Sequence, residues 1–183
     1  MPLRADLVSY LLNKPAGVVT TGADEAGRVT VLDLLGIDAR VWPVGRLDMD
    51  TEGALILTND GDLTLGLTHP RFGVTKTYVA EVRGSVGRRA LKDLLRGVAL
   101  EDGPAAAVEA RLSGRAGGNT MLELVLAEGR NRQVRRMLDA VGHPAVRLVR
   151  TGIGPLRLGR LKTGTVRRLG PGEVRDLYRA CGM

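Results

Sequence analysis

Six short stretches of β-type sequence restrict this chain more than any other feature: 7–12, 54–58, 76–82, 106–112, 121–126 and 145–148. Several alternate apolar and polar residues with period two, as strands with one buried face do. Three helical segments fit between them. The first is short, over Thr30 to Leu35. In the second, Ser85 reads as an N-cap for Val86, Ala90, Leu91, Leu94 and Leu95 at helical spacing, and the third starts near Asn131. Gly97 and Gly142 suit the ends of the last two, and Pro144 supports the second stop. Strands broken by helices at irregular intervals predict an α+β fold around a mixed, largely antiparallel central sheet flanked by helices. There is no repeat, low-complexity tract or Ser/Pro-rich linker, so residues 1–183 read as a single domain with room for two lobes. With 44% hydrophobic and 26% charged residues and no bilayer-length apolar run, no membrane association is expected. The start, MPLRADLVSY, lacks a leader-like apolar core, which predicts a cytoplasmic protein.

The scarce residue types narrow the chemistry. Cys181 is the only cysteine, and His69 and His143 are the only histidines. An internal disulfide is therefore excluded, and a zinc site lacks ligands. One Phe, one Trp and three Tyr are too few for an RNA-binding sheet that stacks several bases on aromatic rings. The net charge of +7 is unevenly spread: residues 1–62 carry five Lys/Arg against ten Asp/Glu, 63–128 nine against seven, and 129–183 thirteen against three. A carboxyl-terminal third that basic points to a polyanion, because clustered Arg and Lys release the counterions condensed on a phosphate backbone. The third helix presents Val134, Met137, Leu138 and Val141 as one stripe, with Arg132, Arg135 and Arg136 opposite and Arg130 just ahead. That end suits a phosphate or carboxylate ligand.

The densest polar stretch runs from Val44 to Asp62. Asp48, Asp50 and Glu52 alternate, so an extended segment would put them on one face. Three such carboxylates suit a divalent metal site or a glycosidase-like acid/base pair. Asp50, Thr51, Glu52 and the Asn59-Asp60-Gly61 turn equally suit capping and turn formation.

The string GRLDMDTEGALILTNDGDL closely resembles the signature of bacterial pseudouridine synthases of the RsuA family, whose GRLD aspartate is the nucleophile. Three further stretches agree in order and spacing: Leu12-Asn-Lys-Pro-Ala-Gly17 with Thr20, Lys76-Thr-Tyr78, and Glu128-Gly-Arg-Asn-Arg-Gln-Val-Arg-Arg-Met137. The tail from Arg147 to Gly164 also follows the family pattern. Residues 1–10 leave no room for the small S4-type RNA-binding domain of many members, so the chain is most similar to the S4-lacking, RluE-like subgroup. The resemblance implies the pseudouridine synthase catalytic fold with a cleft. It also implies that the chain isomerises a specific uridine, in large-subunit ribosomal RNA, with no cofactor and no metal; a monomer is expected.

That reaction breaks the bond between ribose C1′ and uracil N1, turns the base, and rejoins it through C5. The resemblance makes Asp48 the nucleophile and Arg135 its cationic partner, and a partly buried carboxylate needs such a partner to stay ionised. Tyr78 is implied to pack on the flipped base and is a candidate to assist proton removal at C5; a single flipped base needs only one aromatic. Arg46, two residues before Asp48, is expected on the same strand face, filling the gap the uridine leaves. Lys76, Arg130, Arg132 and Arg136 are the candidate RNA contacts, while Lys14 and Pro15 are expected to shape a loop. A noncatalytic RNA-binding or ribosome-assembly factor and a glycosidase using Asp48 and Asp50 are the competing functions.

Overall fold

The computed structural model describes residues 6–22, 24–36 and 40–183. The expectations that rest on residues 1–10 thus fall partly outside the described residues. The chain forms two compact units, one of residues 1–74 and 150–183, the other of residues 75–149.

In the first unit β1 (Ser9–Lys14) lies between β11 (Val166–Arg168) and β3 (Glu52–Thr58), antiparallel to both. The two-residue strand β2 (Trp42–Pro43) pairs with the far end of β3. Both β1 and β3 are buried along nearly their whole length, so their apolar residues run on without alternation. Leu11, Ala54 and Ile56 pack with Leu63 and Leu67 of α1 (Gly61–Thr68) and Leu177 of α4 (Pro171–Ala180) in one apolar cluster. Asp60 caps α1 by accepting from Leu63 N–H at 3.1 Å, and its second oxygen accepts from the Tyr178 hydroxyl at 2.5 Å. One carboxylate thus starts one helix and anchors another, as the turn reading of residues 59–61 expects for Asp60. Burial and the Asp60 charge push the Tyr178 hydroxyl well above its ordinary pKa.

In the second unit β4 (Lys76–Arg83), β8 (Asn119–Leu126) and β7 (Glu109–Ala116) form an antiparallel set with β8 in the middle. Along β8 every second residue is buried, with Leu122, Leu124 and Leu126 facing Ala90 and Leu94 of α2 (Arg88–Arg96) and Val134, Met137 and Leu138 of α3 (Gln133–Ala140) in one cluster. A small hairpin of β5 (Val98–Leu100) and β6 (Gly103–Ala105) follows α2. On β7 the register shifts between Leu112 and Gly114, a bulge on a strand that is exposed almost throughout. Strand β9 (Ala145–Ile153), followed in the first unit by the short β10 (Leu156–Arg157), begins in the second unit and ends in the first.

The fold is α+β with mostly antiparallel strands and, among the described residues, four α-helices. Helix α2 starts at Arg88 rather than beside Ser85, whose hydroxyl instead meets Arg115 Nη2 at 2.8 Å. Residues 31–34 form only a turn. There Asp33 and Thr30 bond reciprocally, but Gly36 turns the backbone to φ +54° before a second helical turn forms. None of the described helices is long and apolar enough to cross a membrane.

Candidate active site

Asp48 stands half-buried on a loop between β2 and β3, and that loop is fastened from below by the segment after β1. The Thr20 hydroxyl donates to Leu47 O at 2.8 Å and accepts from Leu47 N–H at 3.2 Å. Gly17 N–H donates to Met49 O at 2.8 Å, and Thr51 N–H closes a turn onto Asp48 O at 3.0 Å. The residues on either side of Asp48 are therefore held through their backbones, which sets where its Cα stands before any ligand arrives.

Lys14 is the deepest part of this arrangement. Its side chain is fully buried, and Nζ donates to Val18 O at 2.7 Å, Pro15 O at 2.9 Å and Met49 O at 3.3 Å. A buried ammonium needs all its donors satisfied, and three carbonyls do so here. Burial lowers its pKa from 10.5 to about 8, and the charges of Asp50, Glu52 and Asp48 hold it from falling further. The unfolded lysine keeps its proton to higher pH than the folded one, so between pH 8 and 10.5 the unfolded state binds more protons. Stability from this group therefore rises with pH across that window. Denaturant unfolding of wild type and Lys14→Met is expected to show wild type gaining on the order of 1–3 kcal/mol over the variant between about pH 7 and 10.5. A constant difference would mean that the ammonium is not desolvated.

Gly53, paired with Lys14 across β1 and β3, adopts φ +109°. A Cβ there would overlap the Arg150 carbonyl oxygen and lie 2.7 Å from its nitrogen. The Arg150 side chain, 5% exposed, donates from Nε to Ala54 O at 2.8 Å.

Two expectations are corrected in this unit. Arg46 and Asp48 do not share a strand face: residues 46–48 are loop, Arg46 is exposed, and Gly45 at φ +69° has already turned the chain away from β2. Asp48, Asp50 and Glu52 do not line an extended segment either, because the 48–51 turn separates the first two from Glu52, which opens β3.

Tyr78 and Lys76 sit half-buried on β4, Tyr78 opposite Leu124 and against the apolar cluster, Lys76 opposite Leu126. Arg135 is half-buried on α3 and reaches Ala145 O from Nη1 at 3.5 Å. Helix α3 begins at Gln133, later than expected. Arg132 precedes it as the N-cap, exposed, and is the only non-glycine among the described residues with left-handed backbone, at φ +47°. Next to it Gln133 braces the turn: its buried amide accepts from Arg130 N–H at 2.9 Å and donates to Glu128 Oε1 at 2.5 Å. That folds the chain back on itself ahead of the helix.

Arg130 and Arg136 are brought together around Asp102, at the turn of the β5–β6 hairpin. Arg130 Nη1 donates to Asp102 Oδ1 at 3.1 Å and to the carbonyls of Asp102 and Gly103 at 3.2 and 3.1 Å; Nη2 reaches Pro104 O at 2.6 Å and Glu128 Oε1 at 3.0 Å. Arg136 grips both carboxylate oxygens. The Arg136 guanidinium holds the Asp102 carboxyl below its ordinary pKa. Nothing in the sequence marks Asp102 as a partner, since it lies 28 and 34 residues from the two arginines. The described residues contain no group of His, Cys, Asp and Glu that could hold a metal ion.

Residues 8–140 match the RNA pseudouridylate synthase family. An RNA pseudouridine synthase of Aquifex aeolicus (strain VF5), named as uncharacterized, is 45% identical and covers 100% of this chain and 74% of its own. Ribosomal large subunit pseudouridine synthase B of Bacillus subtilis (strain 168) is 43% identical, over 95% of this chain and 72% of that protein. Among solved structures, a crystal structure of a pseudouridylate synthase is similar with a TM-score of 0.82 and 31% identity, covering 93% of this chain and 74% of that one. The chain belongs to the RNA pseudouridylate synthase family, as an RsuA-like enzyme.

Proposed function

We propose that this protein isomerises a specific uridine in large-subunit ribosomal RNA, with Asp48 as the nucleophile that attacks the flipped nucleotide. The observation that carries the reading is the loop of Asp48, held through Leu47 and Met49 by Thr20, Gly17 and Lys14. A binding protein has little use for a loop held this firmly around one carboxylate, whereas a nucleophile loses less entropy on reaching its transition state when its backbone is preset. The Bacillus subtilis relative, named for the large subunit, supports the choice of RNA.

In this mechanism Asp48 attacks C1′ as a carboxylate, with Arg135 as the cationic partner that the family resemblance implies. The C1′–N1 bond breaks as Asp48 bonds to C1′, the uracil turns against Tyr78, and C5 bonds to C1′ as the Asp48 carboxylate is released and N1 takes up a proton. The C5 proton then leaves with help from Tyr78. Arg46, exposed on the same loop as Asp48, fills the space of the extruded base, and Lys76, Arg132 and Arg136 contact phosphates. Arg130 acts chiefly by fastening the β5–β6 hairpin, since its guanidinium is spread over three carbonyls and two carboxylates. The reaction needs no cofactor and is carried out by a monomer in the cytoplasm.

The test is incubation of purified protein with protein-free large-subunit ribosomal RNA from cells lacking it, followed by pseudouridine mapping. One new pseudouridine is expected, formed equally well in excess EDTA. RNA binding without any new pseudouridine would favour the noncatalytic factor, and loss of activity in EDTA would return the acidic loop to the metal reading.

A further inference from the structure

Arg130 and Arg136 hold the β5–β6 hairpin in different ways. Arg130 reaches the backbone carbonyls of Asp102, Gly103 and Pro104 as well as the Asp102 side chain. Arg136 reaches the hairpin through the carboxylate: Nη1 meets Oδ1 at 2.7 Å and Nη2 meets Oδ2 at 2.9 Å, while its Nε is turned back onto Asn131 O at 2.9 Å. Two parallel N–H···O bonds from one guanidinium to two oxygens of one anion is also the geometry in which arginine takes a phosphate. The Asp102 side chain is 45% exposed and that of Arg136 29%, so solvent and ligand reach this pair. Turning the Asp102 side chain outward would free the Arg136 fork without moving the hairpin, because Arg130 still holds the backbone.

We propose that Asp102 occupies the place of an RNA backbone phosphate: Arg136, backed by Arg130, forms a phosphate subsite that RNA enters by displacing the Asp102 carboxylate. The proposal rests on RNA being the substrate and adds where one phosphate sits and what guards that position. Binding there exchanges an internal anion for the phosphate. A stray polyanion with few other contacts gains little from the exchange, whereas an RNA that fits elsewhere gains enough to drive it. Asp102 thereby trims nonspecific affinity and leaves the guanidinium in the geometry that the substrate needs.

The experiment measures binding of a roughly 20-nucleotide oligouridylate at fixed salt by fluorescence anisotropy, with thermal melts to verify folding. Asp102→Asn is expected to bind about two- to fivefold tighter than wild type, the range an exposed ion pair can withhold. That gain should vanish in an Arg136→Gln background. Glu101→Gln, which removes a neighbouring negative charge at the same turn, should show less than half of it. Unchanged or weaker binding by Asp102→Asn overturns the proposal. So does a gain that survives Arg136→Gln or is matched by Glu101→Gln, since either would mean a diffuse charge effect. In wild-type protein the Asp102 Cγ resonance is expected to move on adding the oligonucleotide, and a resonance that stays fixed at saturation also overturns it. Oligouridylate binding needs no isomerisation, so failure here leaves the isomerase reading standing. Absence of pseudouridine in ribosomal RNA would sink that reading without touching this measurement.

Discussion

Asp48→Asn is expected to lower pseudouridine formation by about 1,000-fold or more while leaving RNA affinity within about twofold, because removal of a nucleophile costs chemistry and not recognition. Asparagine keeps the shape, and the loop should keep its form, since Thr20, Gly17, Lys14 and Thr51 grip only backbone atoms of residues 47–49. Single-turnover rates on ribosomal RNA, with binding measured in parallel, check this; activity near wild type in the asparagine variant would end the proposed mechanism. In the same assay Arg135→Ala should slow the chemical step more than Arg130→Ala. The Arg130 variant should instead show its loss in thermal stability, because its guanidinium fastens the β5–β6 hairpin. Equal effects of the two on the single-turnover rate would count against Arg135 as the partner of Asp48.

The second large effect is structural. Gly53→Ala forces a Cβ into the Arg150 backbone at a φ of +109°, where side chains are rarely tolerated. Neither neighbour can yield easily, since Gly53 is paired with Lys14 on β1 and the Arg150 side chain is bonded back to Ala54. Backbone strain and a backbone clash together should cost roughly 3–5 kcal/mol, a large share of the stability of a domain this size. Urea denaturation would show a strongly lowered midpoint or no cooperative transition. Gly61→Ala, at the first position of α1 with open space around it, should stay within about 0.5 kcal/mol of wild type. If the two variants melted alike, the packing of β3 against Arg150 would be wrong.

The strands were legible where alternation or a sustained apolar run marked them, as in β3, β4 and β8. The strand expected at 106–112 begins later, at Glu109, because Ala107 is used elsewhere: it is buried, and its N–H bonds to Leu94 O at the end of α2. Helix α1 carries little helical signal in the sequence, because Gly61, Thr64, Gly66 and Thr68 are weak helix formers. Packing outweighs propensity there, with Leu63 and Leu67 one turn apart in the core and Gly66 small enough to admit Cys181 and Met183. Helix α4 had a readable signal in Pro171 at its first turn and in Glu173, which accepts from Gly170 N–H at 2.9 Å.

At the site, residue types were more legible than local shape. Lys14 was expected to shape a loop, and it does so by a buried ammonium bonded to three carbonyls. Alternation suggested an extended segment at Asp48, Asp50 and Glu52. Bonds from residues 14–20, far back along the chain, bend it into a turn instead. The role of Asp102 could not be read from the chain at all, because it depends on a hairpin closing against α3.

Among the described residues, strand β7 ends its sheet with one side unpaired, eight residues long and carrying an exposed Leu112. An open edge of that length is a template on which a second molecule could add its own strand. The break in register between Leu112 and Gly114 interrupts that edge, while Arg111 turns inward to pair with Glu123 on β8 and Arg115 bonds to Ser85. Two copies approaching edge to edge would meet a kinked ladder. The feature that bends one strand thus also makes the open edge a poorer template for a second strand.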